Sequence, residues 1–167
     1  MMSCEYGQAI IRRLTEFPYL PSPLSVIDAA LNIVEIKPNE IFADLGCGDG
    51  KVLIRAAQKF GAFCVGFEID LALAKIARKN VKMAKLGHLI EIVNADLFTV
   101  ELSKFDVIYV YPFPPIIPKL SEKIISECQK GTRILAHDHP LMGLRQVKNI
   151  QISEGEFHMH SLYLYVT

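Results

Sequence analysis

The chain has 167 residues, the size of one domain, and 51% of them are hydrophobic, enough for a large buried core. Lys plus Arg and Asp plus Glu number 18 each, so the formal charge is zero and the basic face that nucleic-acid binding normally calls for is not indicated. No apolar run approaches the roughly 20 residues of a membrane span, and Met1–Glu16 lacks a signal-peptide pattern, so a cytoplasmic protein with no membrane partner is expected.

In chain order, Met1–Glu16 reads as a short amphipathic helix with Ile10, Ile11 and Leu14 on one side. Pro18, Pro21 and Pro23 then force an extended segment. Ser22 or Ser25 can cap the next helix, which carries Val26, Ile27, Ala30, Leu31 and Val34 and ends near Lys37-Pro38. Strand–helix alternation follows. Strands are expected at 41–45, 63–67, 89–94, 105–110 and 133–137, with helices over 51–60, 71–86 and 117–129. Gly61 ends the first of these helices and Gly87 the second. The tail offers extended runs at 146–152 and 157–166, joined too tightly for a crossover, so they form an antiparallel hairpin turned by Gly155. The expected fold is α/β, Rossmann-like and doubly wound. Its seven-stranded sheet is mainly parallel, with a C-terminal antiparallel hairpin, in a single domain over 1–167. Cys4, Cys47, Cys64 and Cys128 are dispersed, which indicates neither a disulfide framework nor a zinc site. The basic run Lys75, Arg78, Lys79, Lys82, Lys85 reads as a solvated helix face.

The richest stretch is Asp44-Leu45-Gly46-Cys47-Gly48-Asp49-Gly50-Lys51, a strand entering a glycine turn and then a helix. A dinucleotide fingerprint needs a third glycine at position 51, which is Lys. Asp44 and Asp49 would repel a pyrophosphate but suit a ligand that presents ammonium or hydroxyl donors. Ligands of open α/β sheets bind outside the carboxyl ends of the strands. At the next two such ends stand Glu68, 18 positions beyond Gly50 and able to accept from ribose hydroxyls, and Asp96, able to accept from an adenine amine.

D-L-G-C-G-D-G resembles motif I of the class I S-adenosylmethionine-dependent methyltransferases. That resemblance implies S-adenosyl-L-methionine as cofactor. Asp44 and Gly46 would meet its amino-acid part, Cys47, Gly48 and Gly50 would form the turn beneath it, Glu68 with Ile69 would hold the ribose, and Asp96 with Leu97 the adenine. Tyr19-Leu20-Pro21-Ser22-Pro23, Val65-Gly66-Phe67-Glu68-Ile69-Asp70, Lys130-Gly131-Thr132-Arg133-Ile134-Leu135-Ala136-His137-Asp138 and Tyr163-Leu164-Tyr165-Val166 narrow the likeness. They resemble the small archaeal protein-lysine methyltransferases and their mitochondrial relatives. This implies methylation of exposed lysines on a protein, with residues 1–37 covering the cofactor site. An RNA or small-molecule acceptor on the same fold, or a non-catalytic cofactor-binding module, are the alternatives.

The loop Tyr111-Pro112-Phe113-Pro114-Pro115 departs from the hydrophobic run usual in that group. It echoes imperfectly the N/D-P-P-Y/F tetrapeptide of amino methyltransferases. A lysine acceptor must be neutral to attack, although its reference pKa is near 10.4, and an apolar, aromatic-rimmed channel lowers that value. Tyr19, Tyr109, Tyr111 and Phe113 are candidates for the rim, with Tyr109 better explained by packing. Tyr111, Tyr19 and Asp138 are the candidate catalytic residues, with Asp138 orienting the acceptor amine or the N-terminal segment. His137-Asp138-His139 supplies only two of the three protein ligands usual beside an open metal position, and no metal is assigned. His158 and His160 are expected at the surface or edge of the last strand.

Overall fold

The computed structural model describes residues 19–156 and 158–167, so the helix expected over the first sixteen residues, and Phe157, lie outside them. Val26, Ile27, Ala30, Leu31 and Val34 recur at helical spacing and are all buried on one face of α1, Leu24–Val34. Neither serine caps this helix. Pro23 is its N-cap, with no side-chain bond, and Ser22 is used elsewhere. Glu35, at φ 47°, ends it with an N–H on the Leu31 carbonyl.

The alternating pattern then builds β1 (Ile41–Leu45), α2 (Lys51–Phe60), β2 (Phe63–Glu68), α3 (Leu71–Met83), β3 (Ile90–Asn94) and β4 (Val107–Val110). A 3-10 turn at Pro114–Ile116 leads into α4 (Ile117–Glu127), followed by β5 (Arg133–His137), β6 (Gln146–Glu154) and β7 (His158–Val166). The α3 terminus differs from expectation. Lys85, not Gly87, supplies the left-handed residue (φ 58°), and Leu86 N–H reaches back to the Val81 carbonyl. Gly61 and Gly155 do take the expected positive φ.

The seven strands form one sheet in the order β3-β2-β1-β4-β5-β7-β6. The first five are mutually parallel. β7 runs antiparallel to β5 and pairs with β6 as the hairpin. Successive residues of β1 enter opposite cores: Phe42 packs with α1, α2 and α3, while Ala43 packs with α4 and the 95–106 connection. Burying each Leu-, Ile- or Phe-sized side chain in those two layers stabilises the fold by roughly 1.5–3 kcal/mol. Gly66 in β2 lets α2 approach the sheet: a Cβ there would overlap Leu53 and sit 2.7 Å from Cys47 Sγ. The strand order reverses between β1 and β4, which opens a crevice over the carboxyl ends of the parallel strands.

Candidate active site

The crevice is lined by Asp44, Gly46 and Cys47 at the end of β1, Glu68 and Ile69 at the end of β2, and Asp96 and Leu97 after β3. Tyr19 and Ser22 close it from the N-terminal side, and Tyr109, Tyr111 and Phe113 wall its β4 end. Gly48 and Gly50 stand behind this lining. Gly48, at φ 52°, lies under the Tyr19 ring, which a Cβ would overlap, so only glycine suits both its backbone and its contact. Tyr19 also hydrogen-bonds Asp49, and burial together with that carboxylate pushes its hydroxyl well up.

The glycine turn is not a phosphate cradle, because its amides are already in use. Gly46 and Cys47 N–H donate to the Phe67 carbonyl, at 2.8 and 3.0 Å, and Gly50 N–H to the Cys47 carbonyl. Gly48 N–H donates to Glu68 Oε2 at 2.8 Å, and Lys51 N–H to Asp49 Oδ1 at 3.2 Å. Two asparagines lock the surrounding loops: Asn80 Nδ2 donates to the Asp49 carbonyl, and Asn94 Nδ2 to those of Glu68 and Ile69. These amides carry no pattern that marks them in the sequence; only the packing of α3 and β3 against the turn reveals them.

The electrostatics select a cationic ligand. Asp44 is only 2% exposed and faces the crevice. No hydrogen bond to its carboxylate is seen among the described residues. Burial first, then Glu68 and Asp49, push it well above the ordinary carboxyl range. Glu68 is likewise raised by burial, against the Asp70 and Gly48 N–H groups that it accepts. A buried carboxylate without a donor beside two further acids is costly until a positive group or hydroxyl reaches it. A sulfonium ligand bearing an ammonium and a ribose diol supplies both, so these residues fit S-adenosylmethionine. When bound, that cofactor supplies an electrophilic methyl group. The acids and the glycine turn of this chain would bind and orient it.

The second half of the site gathers around β4, β5 and β7. Tyr111 donates a hydrogen bond to Asp138 Oδ2, and its ring stacks on His137 at 4.0 Å and beside Phe113 at 6.5 Å. Asp138 sits at φ 59° after β5, and its Oδ1 accepts from Ser161 N–H at 2.9 Å. Burial works to raise the Asp138 carboxyl, but hydrogen bonds from Tyr111 and Ser161, with His137 close by, outweigh it and hold it below the usual range. Asp138 touches Tyr111 without lining the crevice.

Two sequence expectations are corrected here, and a third is extended. Ser22 binds Tyr109 Oη (3.2 Å) and His137 Nδ1 (3.3 Å) instead of capping α1. His160 is no surface residue: it is 6% exposed and lies 2.9 Å from His137 Nε2. Tyr109 is buried as packing suggested, yet its hydroxyl reaches His137 Nδ1 at 2.8 Å. His137, Asp138 and His160 offer ligand atoms within 4.8 Å of one another, while His139 stands outside this cluster. His160 Nδ1 lies within hydrogen-bond distance of His137 Nε2 and Asp138 Oδ2, and the group reads as a polar network.

Fold and crevice together define the class: the chain is an S-adenosylmethionine-dependent methyltransferase, with the reversed hairpin that closes such sheets. Residues 44–148 match the profile of the ANTKMT methyltransferase domain, and the chain belongs to that family. A protein-lysine N-methyltransferase of Saccharolobus islandicus (strain REY15A) is 31% identical over 89% of this chain and 92% of its own length. The adenine nucleotide translocase lysine N-methyltransferase of Mus musculus is 25% identical over 75% of this chain, which spans 55% of that enzyme. A crystal structure described as an RNA methyltransferase from Salinibacter ruber, in complex with S-adenosyl-L-homocysteine, superposes with a TM-score of 0.81. It is 33% identical and covers 88% of this chain and 93% of its own.

Proposed function

We propose that the protein transfers a methyl group from S-adenosylmethionine to the lysine amine of a protein by direct displacement. One observation carries this reading: the crevice joins an acidic cofactor wall to an aromatic wall of Tyr109, Tyr111 and Phe113. A cation fits the first wall, and an apolar, aromatic-rimmed channel lowers the pKa of an amine in the second. The names of the Saccharolobus and Mus relatives support the lysine acceptor.

In this reading Asp44, Gly46, Cys47, Gly48 and Gly50 hold the amino-acid end of the cofactor, Glu68 and Ile69 the ribose, and Asp96 and Leu97 the adenine. Tyr19 covers the turn, and residues 1–37 close the cofactor site as part of one domain over 1–167. Its support is the Tyr19 ring on Gly48 and Ser22 at the crevice. Tyr111 orients the acceptor amine, with Asp138 holding its hydroxyl. Alignment of amine, methyl and sulfur supplies much of the rate, since effective molarity in a dry site is large.

The name of the Salinibacter structure favours a second reading, an RNA acceptor. The balanced charge weighs against it. Cell extract incubated with methyl-labelled S-adenosylmethionine decides between them. Label that survives nuclease and is lost to protease, and that co-migrates with methyl-lysine after hydrolysis, supports the first reading; label lost to nuclease overturns it. We place the enzyme in the cytoplasm. Among the described residues no helix is long and apolar enough to cross a membrane, and the cysteines Cys47, Cys64 and Cys128 are unpaired.

A further inference from the structure

An amine that accepts a methyl group must lose a proton, and the acceptor wall of this crevice is closed behind Tyr109. Tyr109 is 3% exposed and His137 is fully buried. Behind that wall the side chains form an unbroken line to the surface. Ser22 and Tyr109 face the crevice. Tyr109 Oη lies 2.8 Å from His137 Nδ1. On the far side of the ring, His137 Nε2 lies 2.9 Å from His160 Nδ1, and His160 Nε2 lies 3.1 Å from Glu154 Oε2. Glu154 is exposed, at 45% of its side chain.

The donors and acceptors of that line are consistent from end to end. Each neutral imidazole has one N–H and one lone pair. The Tyr109 hydroxyl donates to His137 Nδ1, His137 Nε2–H to His160 Nδ1, and His160 Nε2–H to Glu154. Sheet register builds the outer half. β7 lies between β5 and β6, and His160 pairs with Ile152 while Glu154 pairs with His158, so Glu154 and His160 are diagonal neighbours on one face.

We propose that Tyr109, His137, His160 and Glu154 form a proton relay that carries the proton of the acceptor ammonium from the buried acceptor wall to solvent. The inference rests on the amine-acceptor reading above. The ammonium N–H bond breaks and its proton goes to Tyr109 Oη as the Tyr109 proton passes to His137 Nδ1. The His137 Nε2 proton passes to His160 Nδ1, and the His160 Nε2 proton leaves through Glu154. One proton reaches water, the amine keeps its lone pair for the methyl group, and no electron changes hands. In transit His160 carries two N–H groups, and Asp138 Oδ2, 3.2 Å from its Nδ1, stands by as counter-charge.

Burial holds His137 down at about 4, so at neutral pH it is the neutral ring that a relay needs. Asp138, His139 and His160 face it with charge or titratable groups, Tyr111 stacks on it and Ser22 reaches its Nδ1. His158 adjoins His160 at 5.4 Å between ring centroids, and Asp44 acts on Tyr109. His137, His160 and Glu154 act through Tyr109 and are positioning residues.

The test is the single-turnover rate of methyl transfer from labelled S-adenosylmethionine to poly-L-lysine between pH 6.5 and 9.5, for the whole protein and for His160→Gln. An amide can hydrogen-bond at this position but cannot pass a proton. The expected result is a loss of at least about tenfold at pH 7 that disappears towards pH 9.5, where more of the acceptor arrives neutral, with cofactor affinity by calorimetry unchanged. A loss of equal size at every pH, or none at pH 7, overturns the relay. Glu154→Gln, on the exposed hairpin, guards against misfolding: it is expected to show a smaller loss with the same recovery, and a flat profile overturns the proposal. A wild-type protein that labels RNA but neither poly-L-lysine nor extract protein overturns the lysine reading itself, whereas labelling by wild type with unaltered variants sinks the relay alone.

Discussion

The two halves of the crevice are built by opposite rules. On the cofactor side, eight consecutive residues from Asp44 to Lys51 make the turn, and the acids at the next two strand ends complete it. On the acceptor side no two neighbours suffice. Ser22 meets His137 across 115 positions, Tyr109 meets His137 across 28, and His137 meets His160 across 23. The charge differs as well. The cofactor half concentrates carboxylates raised by burial, which await a positive ligand. The acceptor half pairs its carboxylate, Asp138, with donors that hold it below the usual range. One half is completed by its ligand; the other is complete before any ligand arrives.

The sharpest way to break that contrast is Glu68→Ala. It removes a carboxylate that would accept from two ribose hydroxyls, and charge-assisted bonds contribute about 1.5–3 kcal/mol each. Cofactor affinity should fall by about 100-fold or more in calorimetry, and the orphaned Gly48 and Asp70 amides should lower Tm as well. Near-normal binding would mean that the acid set is structural.

Asp44→Asn should separate binding from stability. Cofactor affinity should fall about tenfold or more, while the ligand-free protein becomes more stable by about 1 kcal/mol, or roughly 2–4 °C in Tm, because a buried charge without a donor is gone. A lower Tm in the ligand-free variant would show that the carboxylate is satisfied inside the protein.

Tyr111→Phe should act on the other half alone. It deletes the bond to Asp138 but keeps the stack on His137. We expect kcat/KM for the acceptor to drop about tenfold, about 1.4 kcal/mol of transition-state stabilisation, with cofactor affinity within about twofold of wild type. A matching loss of cofactor binding would erase the division between the halves.

The smallest effect lies in the pH dependence of stability, where the halves oppose each other. Asp44 and Glu68 are raised in the fold, so acidification through their elevated range relieves a cost and stabilises the native state. His137 is held at about 4 against an ordinary 6.5, so below pH 6.5 the unfolded chain takes up a proton that the native ring refuses. Stability is lost on that account as pH falls from 6.5 towards 4, by about 2 kcal/mol at pH 5. Asp44→Asn, lacking one opposing group, should therefore lose more Tm than wild type on acidification from pH 7 to 5. Parallel curves would deny the opposition.

The legible parts share a physical character. Buried strands write themselves as short apolar runs, and α1, α2 and α3 as apolar residues at helical spacing, so the class of sheet and the reversed hairpin follow from pattern. The turn at Asp44–Gly50 is likewise local: positive φ and close approach leave glycine as the suitable residue, and the acids recur at successive strand ends. Where two local solutions compete the sequence is silent. A left-handed lysine ended α3 although a glycine stood two residues on, and a proline took the N-cap that serines could have filled.

By itself, then, the sequence determined the doubly wound sheet, the switch-point crevice and the acidic cofactor wall, because each depends on neighbours along the chain or on a repeating position at strand ends. Only the tertiary structure decided the acceptor wall. Placing β7 between β5 and β6 sets His160 against His137 and Glu154, and docking the segment before α1 sets Ser22 on Tyr109. Partners so far apart leave no periodicity to read. Their meeting is dictated by strand order and register, and those are settled by the packing of the whole sheet.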